Sequence, residues 1–298
     1  MAHAHAPHAP SEKYYVPHSS PWPIIGSVSL FTMMAGVSMW LNHAAAGPWV
    51  SLLGLLAVLS MFAGWFSNVI NESEARLYNN AVDRSFRMGM MWFIFSEVMF
   101  FAAFFGALFY ARSLSVPWLG GHGVKYFTNL LLWPGYENAW PTNGPGVVGG
   151  HADGSFDVIP AFGLPAINTA ILLTSSVTVT IAHHALREGH RGMLKLFLGA
   201  TFLLGFIFVY FQIHEYAEAY NELGLRLSTG IYGSTFFMLT GFHGLHVTIG
   251  AIMLTIIWFR VLRGHFTPER HFAFEAVAWY WHFVDVVWLG LFIFVYWI

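Results

Sequence analysis

The sequence predicts an all-α integral membrane protein with seven transmembrane helices. Three observations carry this. Only 9% of the 298 residues are charged, while 56% are hydrophobic and 18% aromatic, against about 25% charged in an ordinary soluble domain. Seven segments near the length of a membrane-spanning helix carry at most one charged residue each. The basic residues gather in alternate connections, as they do in multi-pass proteins. So few charges cannot clothe a water-facing surface, so most of this surface faces lipid.

The elements follow in chain order. The opening "MAHAHAPHAP" places His3, His5 and His8 in an Ala/His/Pro tract without apolar residues to bury. Residues 1–20 are therefore expected to form a disordered tail, and with no basic stretch ahead of an apolar one they do not read as a signal peptide. Segments 24–41 and 49–70 contain no Asp, Glu, Lys or Arg and are the first two spans, a unit of 21–72. The polar stretch 71–87 is the best internal boundary, after which 73–298 holds the other five. Segment 88–111 is the third span, with one charge, Glu97. The Gly- and Pro-rich 113–160, containing "WPTNGPGVVGGHADG", is expected as a solvated cap over helix ends. Segments 161–186, 196–214 and 230–259 are again uncharged, and 276–298 carries Asp285 alone. Backbone groups in lipid must bond within the segment, so these are helices. The two-residue alternation of a membrane barrel is absent.

Orientation follows from the basic residues. Lys13, Arg76, Arg84, Arg87, Arg187, Arg191, Lys195, Arg260, Arg263 and Arg270 lie on the N-terminal side, and Arg112, Lys125 and Arg226 on the other. That bias predicts a cytoplasmic N-terminus and, after seven spans, a C-terminus on the outer side. The formal net charge of −2 and the lack of a basic run give no case for nucleic-acid binding. The absence of cysteine excludes disulfides, iron–sulfur clusters and thiolate metal sites. The 16 histidines leave histidine–carboxylate chemistry open.

The stretch "WFIFSEVMFF" poses the main chemical question, because an ionised carboxylate against lipid is costly. Glu97 is expected to face protein and to be neutral and hydrogen-bonded. Depth narrows its partners. At 1.5 Å per residue, Glu97 and His282 each lie roughly 14 Å above the starts of their spans, and His246 and Asp285 roughly 20 and 18 Å above the same surface. The expected pairs are Glu97 with His282 and Asp285 with His246. His243 and His246 share one helix face, as do His282 and Asp285. Three readings compete. In one the histidines are structural ties between helices; in another His183, His184, His243, His246 and His282 build a membrane metalloenzyme; in the third Glu97 and Asp285 serve a proton-coupled transporter.

The motifs "SPWP" (20–23), "SEVMFF" (96–101), "AHHAL" (182–186), "YGSTFF" (232–237), "TGFHGLHVTIG" (240–250) and "FEAVAWYWHFVDVVWL" (274–289) occur in this order. Together they resemble subunit III of haem–copper cytochrome c oxidase, from about residue 14 to the C-terminus. The acidic "NESEARLYN" and the long insertion look like a bacterial form, and hence an inner-membrane protein. The resemblance implies a two-helix plus five-helix arrangement with a phospholipid-filled cleft between the parts. It implies a subunit without catalytic residues, metal, haem or copper of its own. The haem and copper would sit in partner subunits, with direct contact to subunit I and with subunit II in the same complex. It further implies support of proton uptake, protection of subunit I during turnover, and a lipid route for oxygen.

Residue by residue, the family's reactive carboxylate corresponds to Glu97. Its lipid-contacting cluster is matched by Arg260, His265 and Thr267, with Trp65, Glu72 and Phe93 as further lipid contacts. His243, His246, His282 and Asp285 complete the expected buried polar set. Phe66, Ser67, Asn68, Asn71 and Tyr78 depart from the family pattern, and the departures remove two basic groups near the second span.

Overall fold

A computed structural model describes residues 14–17 and 19–298. His3, His5, His8 and most of the 1–20 tail fall outside the described residues. Among those described, the regular structure is helical: α1 (Trp22–Leu41), α2 (Gly47–Glu74), α3 (Asn80–Tyr110), α4 (Val116–Leu119), α5 (Tyr126–Leu132), α6 (Leu164–Arg187), α7 (Arg191–Asn221), α8 (Gly230–Leu262) and α9 (Phe272–Leu291). A π-helical stretch, Ala111–Ser115, joins α3 to α4, and another, Phe292–Trp297, extends α9. Among the described residues, seven helices are long and apolar enough to cross a membrane, with α3–α4 continuous over Asn80–Leu119 and α9 continuing to Trp297. The expected all-α, seven-span class therefore holds.

The helices overrun the apolar windows that predict them. Hydrophobic windows measure the thickness of hydrocarbon, and polar residues extend a helix past it on either side. α3 begins eight residues before the predicted 88–111 because Asn79 caps it: its Oδ1 accepts from the Ala81 and Val82 amides at 3.1 and 3.0 Å. Asp83 in the first turn suits the helix dipole and pairs with Arg87 at 2.8 Å. The 113–160 segment, expected as a solvated cap over helix ends, holds regular structure. Its first residues finish the third span, and α5 lies within it.

The chain divides into two compact units, Met1–Met88 and Gly89–Ile298. In the first, α1 and α2 form an antiparallel pair in near backbone contact. A Cβ on Gly36 would stand 2.1 Å from the Ser51 amide nitrogen, so only glycine admits this approach. Small residues drive such packing in lipid, where apolar burial against apolar solvent gains little.

In the second unit the core lies among α6, α7, α8 and α9. Leu172, Leu198, Phe208, Val247, Trp281 and Trp288 are fully buried there. Two buried tryptophans need partners for their indole N–H groups. Trp281 donates to Ser175 Oγ and Trp288 to Thr169 Oγ1, each at 2.9 Å, so both tie α9 to α6. The Trp281 ring also fills the space over Gly250 of α8, where a Cβ would meet Cε3 at 2.8 Å.

Candidate functional site

The predicted polar residues of this unit fall into three groups among the described residues. The first joins α3 to α8. Glu97 Oε2 lies 3.1 Å from His246 Nε2, and both side chains are largely covered. His246 Nδ1 lies 2.6 Å from the Phe242 carbonyl, which can only accept, so Nδ1 carries a hydrogen. One further proton must then sit between Nε2 and Glu97. The pair is either a neutral carboxyl donating to neutral imidazole or a carboxylate facing imidazolium, and in both cases its net charge is zero.

The second group joins α6 to α9. Ser176 Oγ donates to Asp285 Oδ2 at 2.8 Å and lies 3.2 Å from His282 Nδ1. The hydroxyl has one hydrogen, which the carboxylate takes, so the imidazole donates to the hydroxyl oxygen from Nδ1. Nearby, fully buried His243 donates through Nε2 to the Val284 carbonyl at 3.1 Å, tying α8 to α9.

The predicted buried residues are therefore present, but the predicted pairs are not. Glu97 meets His246 rather than His282, and Asp285 meets Ser176 and His282 rather than His246. Depth along a helix was the only coordinate in that expectation. Which way a side chain points round the helix decides the partner, and α9 turns His282 and Asp285 toward α6.

The third group lies at the end of the unit formed by the C-termini of α6 and α8 and the N-termini of α7 and α9. Buried Arg260 sets its guanidinium 4.5 Å from the centre of the Phe266 ring. The Arg191 guanidinium donates to the Phe266 carbonyl, pinning the turn after α8 to α7. Thr267 and Arg270 pair their backbones, and the Arg270 amide also reaches Thr267 Oγ1 at 3.2 Å. Arg260, His265 and Thr267 thus occupy one helix end and the turn that follows it.

Beside this turn the structure assembles a cluster that sequence reasoning missed. His183 Nε2 and His271 Nε2 lie 3.6 and 3.3 Å from Glu275 Oε1, and the three ligand-type atoms fall within 4.8 Å of one another. Such spacing suits a shared proton or a divalent cation. The i, i+4 spacing of His271 and Glu275 was a readable signal. Of the five histidines weighed as a metal centre, His243, His246 and His282 engage separate partners, His183 joins this different cluster, and His184 is exposed. They form no common centre.

In the first unit, Trp65 is exposed, and Glu72 accepts a 2.7 Å hydrogen bond from the Tyr78 hydroxyl. Burial first, then the hydrogen bond and charge of Glu72, hold the Tyr78 phenol well above its ordinary pKa. Tyr15 packs edge-on against Tyr78 at 5.8 Å between ring centres. In the second unit Phe93 is exposed on one side and stacks on Tyr280 at 6.3 Å.

Comparison with known proteins gives these groups a common context. The family model described as "Cytochrome c oxidase subunit III" matches residues 12–123 and 145–298. The curated "Cytochrome c oxidase subunit 3" of Dugong dugon is 40% identical over 285 residues, covering 95% of this chain and 96% of that protein. The protein of the same description from Homo sapiens is 40% identical over 288 residues, covering 96% and 97%. That from Tetraodon nigroviridis is 40% identical over 301 residues, covering 99% and 98%. Matches of this extent, across all seven apolar helices, show that the chain belongs to the cytochrome c oxidase subunit III family.

Proposed function

We propose that the chain serves as the non-catalytic subunit III of a terminal oxidase complex that passes electrons from cytochrome c to oxygen and pumps protons. In this reading it packs directly on subunit I, shares the complex with subunit II, and supports proton uptake by its neighbour. Haem and copper belong to the partner subunits. Phospholipids occupy a cleft of the subunit and give oxygen an apolar route. The complex sits in a bacterial inner membrane, with the basic end of the helices in the cytoplasm. The observation that carries the reading is the family match over nearly the whole chain. The geometry agrees with it: the buried polar side chains of α3, α6, α8 and α9 tie helices together in separate pairs.

Arg260, His265 and Thr267 are the proposed phosphate contacts. They lie where a span ends, at headgroup depth, and guanidinium and hydroxyl groups donate to phosphate oxygen. Trp65 and Phe93 are proposed to line acyl chains. Near Glu72, whose carboxylate already holds Tyr78, an ammonium-bearing headgroup suits the local charge better than an anionic one.

The test is purification in mild detergent, followed by an optical spectrum and a phospholipid assay. Haem-bearing partners and retained phospholipid are expected. A chain that purifies intact without a haem-containing partner would overturn the assignment. In Arg260→Gln the spectrum should persist while phospholipid retention weakens about tenfold or more, as loss of a charge-assisted contact of about 1.5–3 kcal/mol requires. Unchanged lipid content would remove Arg260 from the site.

A further inference from the structure

The segment 124–144 lies outside the family match, which resumes at 145. It contains α5, and α5 is built inside out for a water-facing loop. One polar residue points inward: the Asn129 side-chain amide shares its two hydrogens among the carbonyls of Leu119 and Trp133, at 3.0 Å each, and Tyr136, at 3.1 Å. Its apolar residues point outward. Phe127 is 67% exposed, Leu131 72% and Leu132 65%, and Val124, in the turn just before α5, is 93% exposed. In water such a face would be unfavourable by roughly 25 cal/mol for each Å² of apolar surface left uncovered.

The place of this face at the end of the third span's helix is fixed by covalent and hydrogen-bonded connections. Leu119 is the last residue of a membrane-length helix, Asn80–Leu119. Asn129 is bonded to the Leu119 carbonyl itself, so α5 is held at the end of that helix. Its flanks have the composition of a membrane–water boundary. The Lys125 ammonium stands 6.0 Å from the Trp118 ring centre, and exposed Tyr126 and Trp133 bracket the apolar residues. Lysine and aromatic rings with a polar tip gather at the membrane–water boundary.

We infer that residues 124–133 form an interfacial foot that rests in the headgroup–acyl boundary of the leaflet at this end of the bundle. Its partner is the lipid surface. An apolar face of this kind sinks about 5–10 Å into that boundary. The foot sets the height of the third span in the bilayer and shields the polar anchor of Asn129 from water. A docked protein would also cover apolar residues, but it would not call for the bracket of Lys125, Tyr126 and Trp133.

The chain contains no cysteine, so a spin label can be placed in it at a single chosen position. Phe127→Cys, Leu131→Cys and, as the polar-loop reference, Asp153→Cys are introduced one at a time into the full chain. Each is purified with whatever subunits accompany it and reconstituted in phosphatidylcholine–phosphatidylglycerol nanodiscs. The unsubstituted preparation corrects for labels elsewhere. Val124→Cys gives a further position, where the exposed side chain has little packing to lose. At positions 124, 127 and 131, collisions with oxygen should exceed collisions with a water-soluble nickel chelate, with the order reversed at 153. Nickel accessibility at 127 and 131 equal to that at 153 would place the foot in water and overturn the proposal. Protection from both reagents would identify a protein cover, and would overturn it equally. Neither result bears on membership of an oxidase complex, which the spectrum of the same preparation reports.

Discussion

Glu97 is tolerated inside a span because His246 and a carbonyl settle the proton count around it. His246 Nδ1 is committed to Phe242, so the contact between Nε2 and Glu97 is closed by a single proton. We predict that this proton is structural and that no obligatory proton path runs through it. Gln at 97 keeps the size of the side chain and supplies an N–H to the same His246 nitrogen. Glu97→Gln should leave oxygen-consumption turnover within about threefold of the parent, under ~0.7 kcal/mol in barrier terms. A larger loss, with the complex assembled and its lipids retained, would show that the carboxyl proton is used. This residue was legible in the sequence as a lone charge in an apolar run. Its partner was not, because spacing along a chain gives depth and leaves the facing direction to the packing of whole helices. The His183–His271–Glu275 cluster was missed for the same reason: its members lie on α6, in the α8–α9 turn and on α9, and only the fold brings them together.

At the scale of the element, the glycines show where packing is strict. Gly250 and Gly244 lie on the same helix, α8, less than two turns apart. A Cβ on Gly250 would stand 2.8 Å from Trp281 Cε3 and 3.3 Å from Tyr280 Cε1, whereas one on Gly244 would meet Gln212 Cγ at 4.0 Å, an ordinary contact. Trp281 cannot retreat readily, since its indole nitrogen is bonded to Ser175. Gly250→Ala should therefore cost about 1–3 kcal/mol by overpacking, and Gly244→Ala should be close to neutral. Thermal unfolding of the purified protein in detergent measures both, and equal melting temperatures would contradict the packing described. The spans themselves were legible because seven apolar runs of membrane length admit few alternatives. Their ends were not, because the helices continue into polar sequence. Asn79 and Asp83, a cap and a first-turn acid, were a signal for the start of α3 that the apolar window 88–111 overlooked. Nothing comparable announced α5, whose seven residues lie between Gly-rich turns and are held by one asparagine.

At the scale of the whole molecule, the division of charge between the two sides determines how the chain sits in its membrane. Ten of the 13 basic residues fall in the tail and connections on the N-terminal side of the spans, and the other three on the opposite side. Arg187, Arg191, Arg260, Arg263 and Arg270 flank the α6–α7 and α8–α9 turns, while Arg112 and Arg226 stand at the other ends of the helices. Basic residues in short connections are held back from translocation, so the α6–α7 turn is predicted to be cytoplasmic and the segment carrying Asp153 to lie outside. Both positions are open to a reagent. Glu188 lies exposed in the α6–α7 turn and Asp153 exposed in the long connection before α6. With no native cysteine in the chain, Asp153→Cys and Glu188→Cys each present one thiol. A membrane-impermeant maleimide applied to cells whose outer layer has been made permeable should label the first and spare the second. After the inner membrane is broken, both should label. Labelling of Glu188→Cys alone before lysis would reverse the orientation. It would also move the proposed phosphate contacts Arg260, His265 and Thr267 to the opposite leaflet.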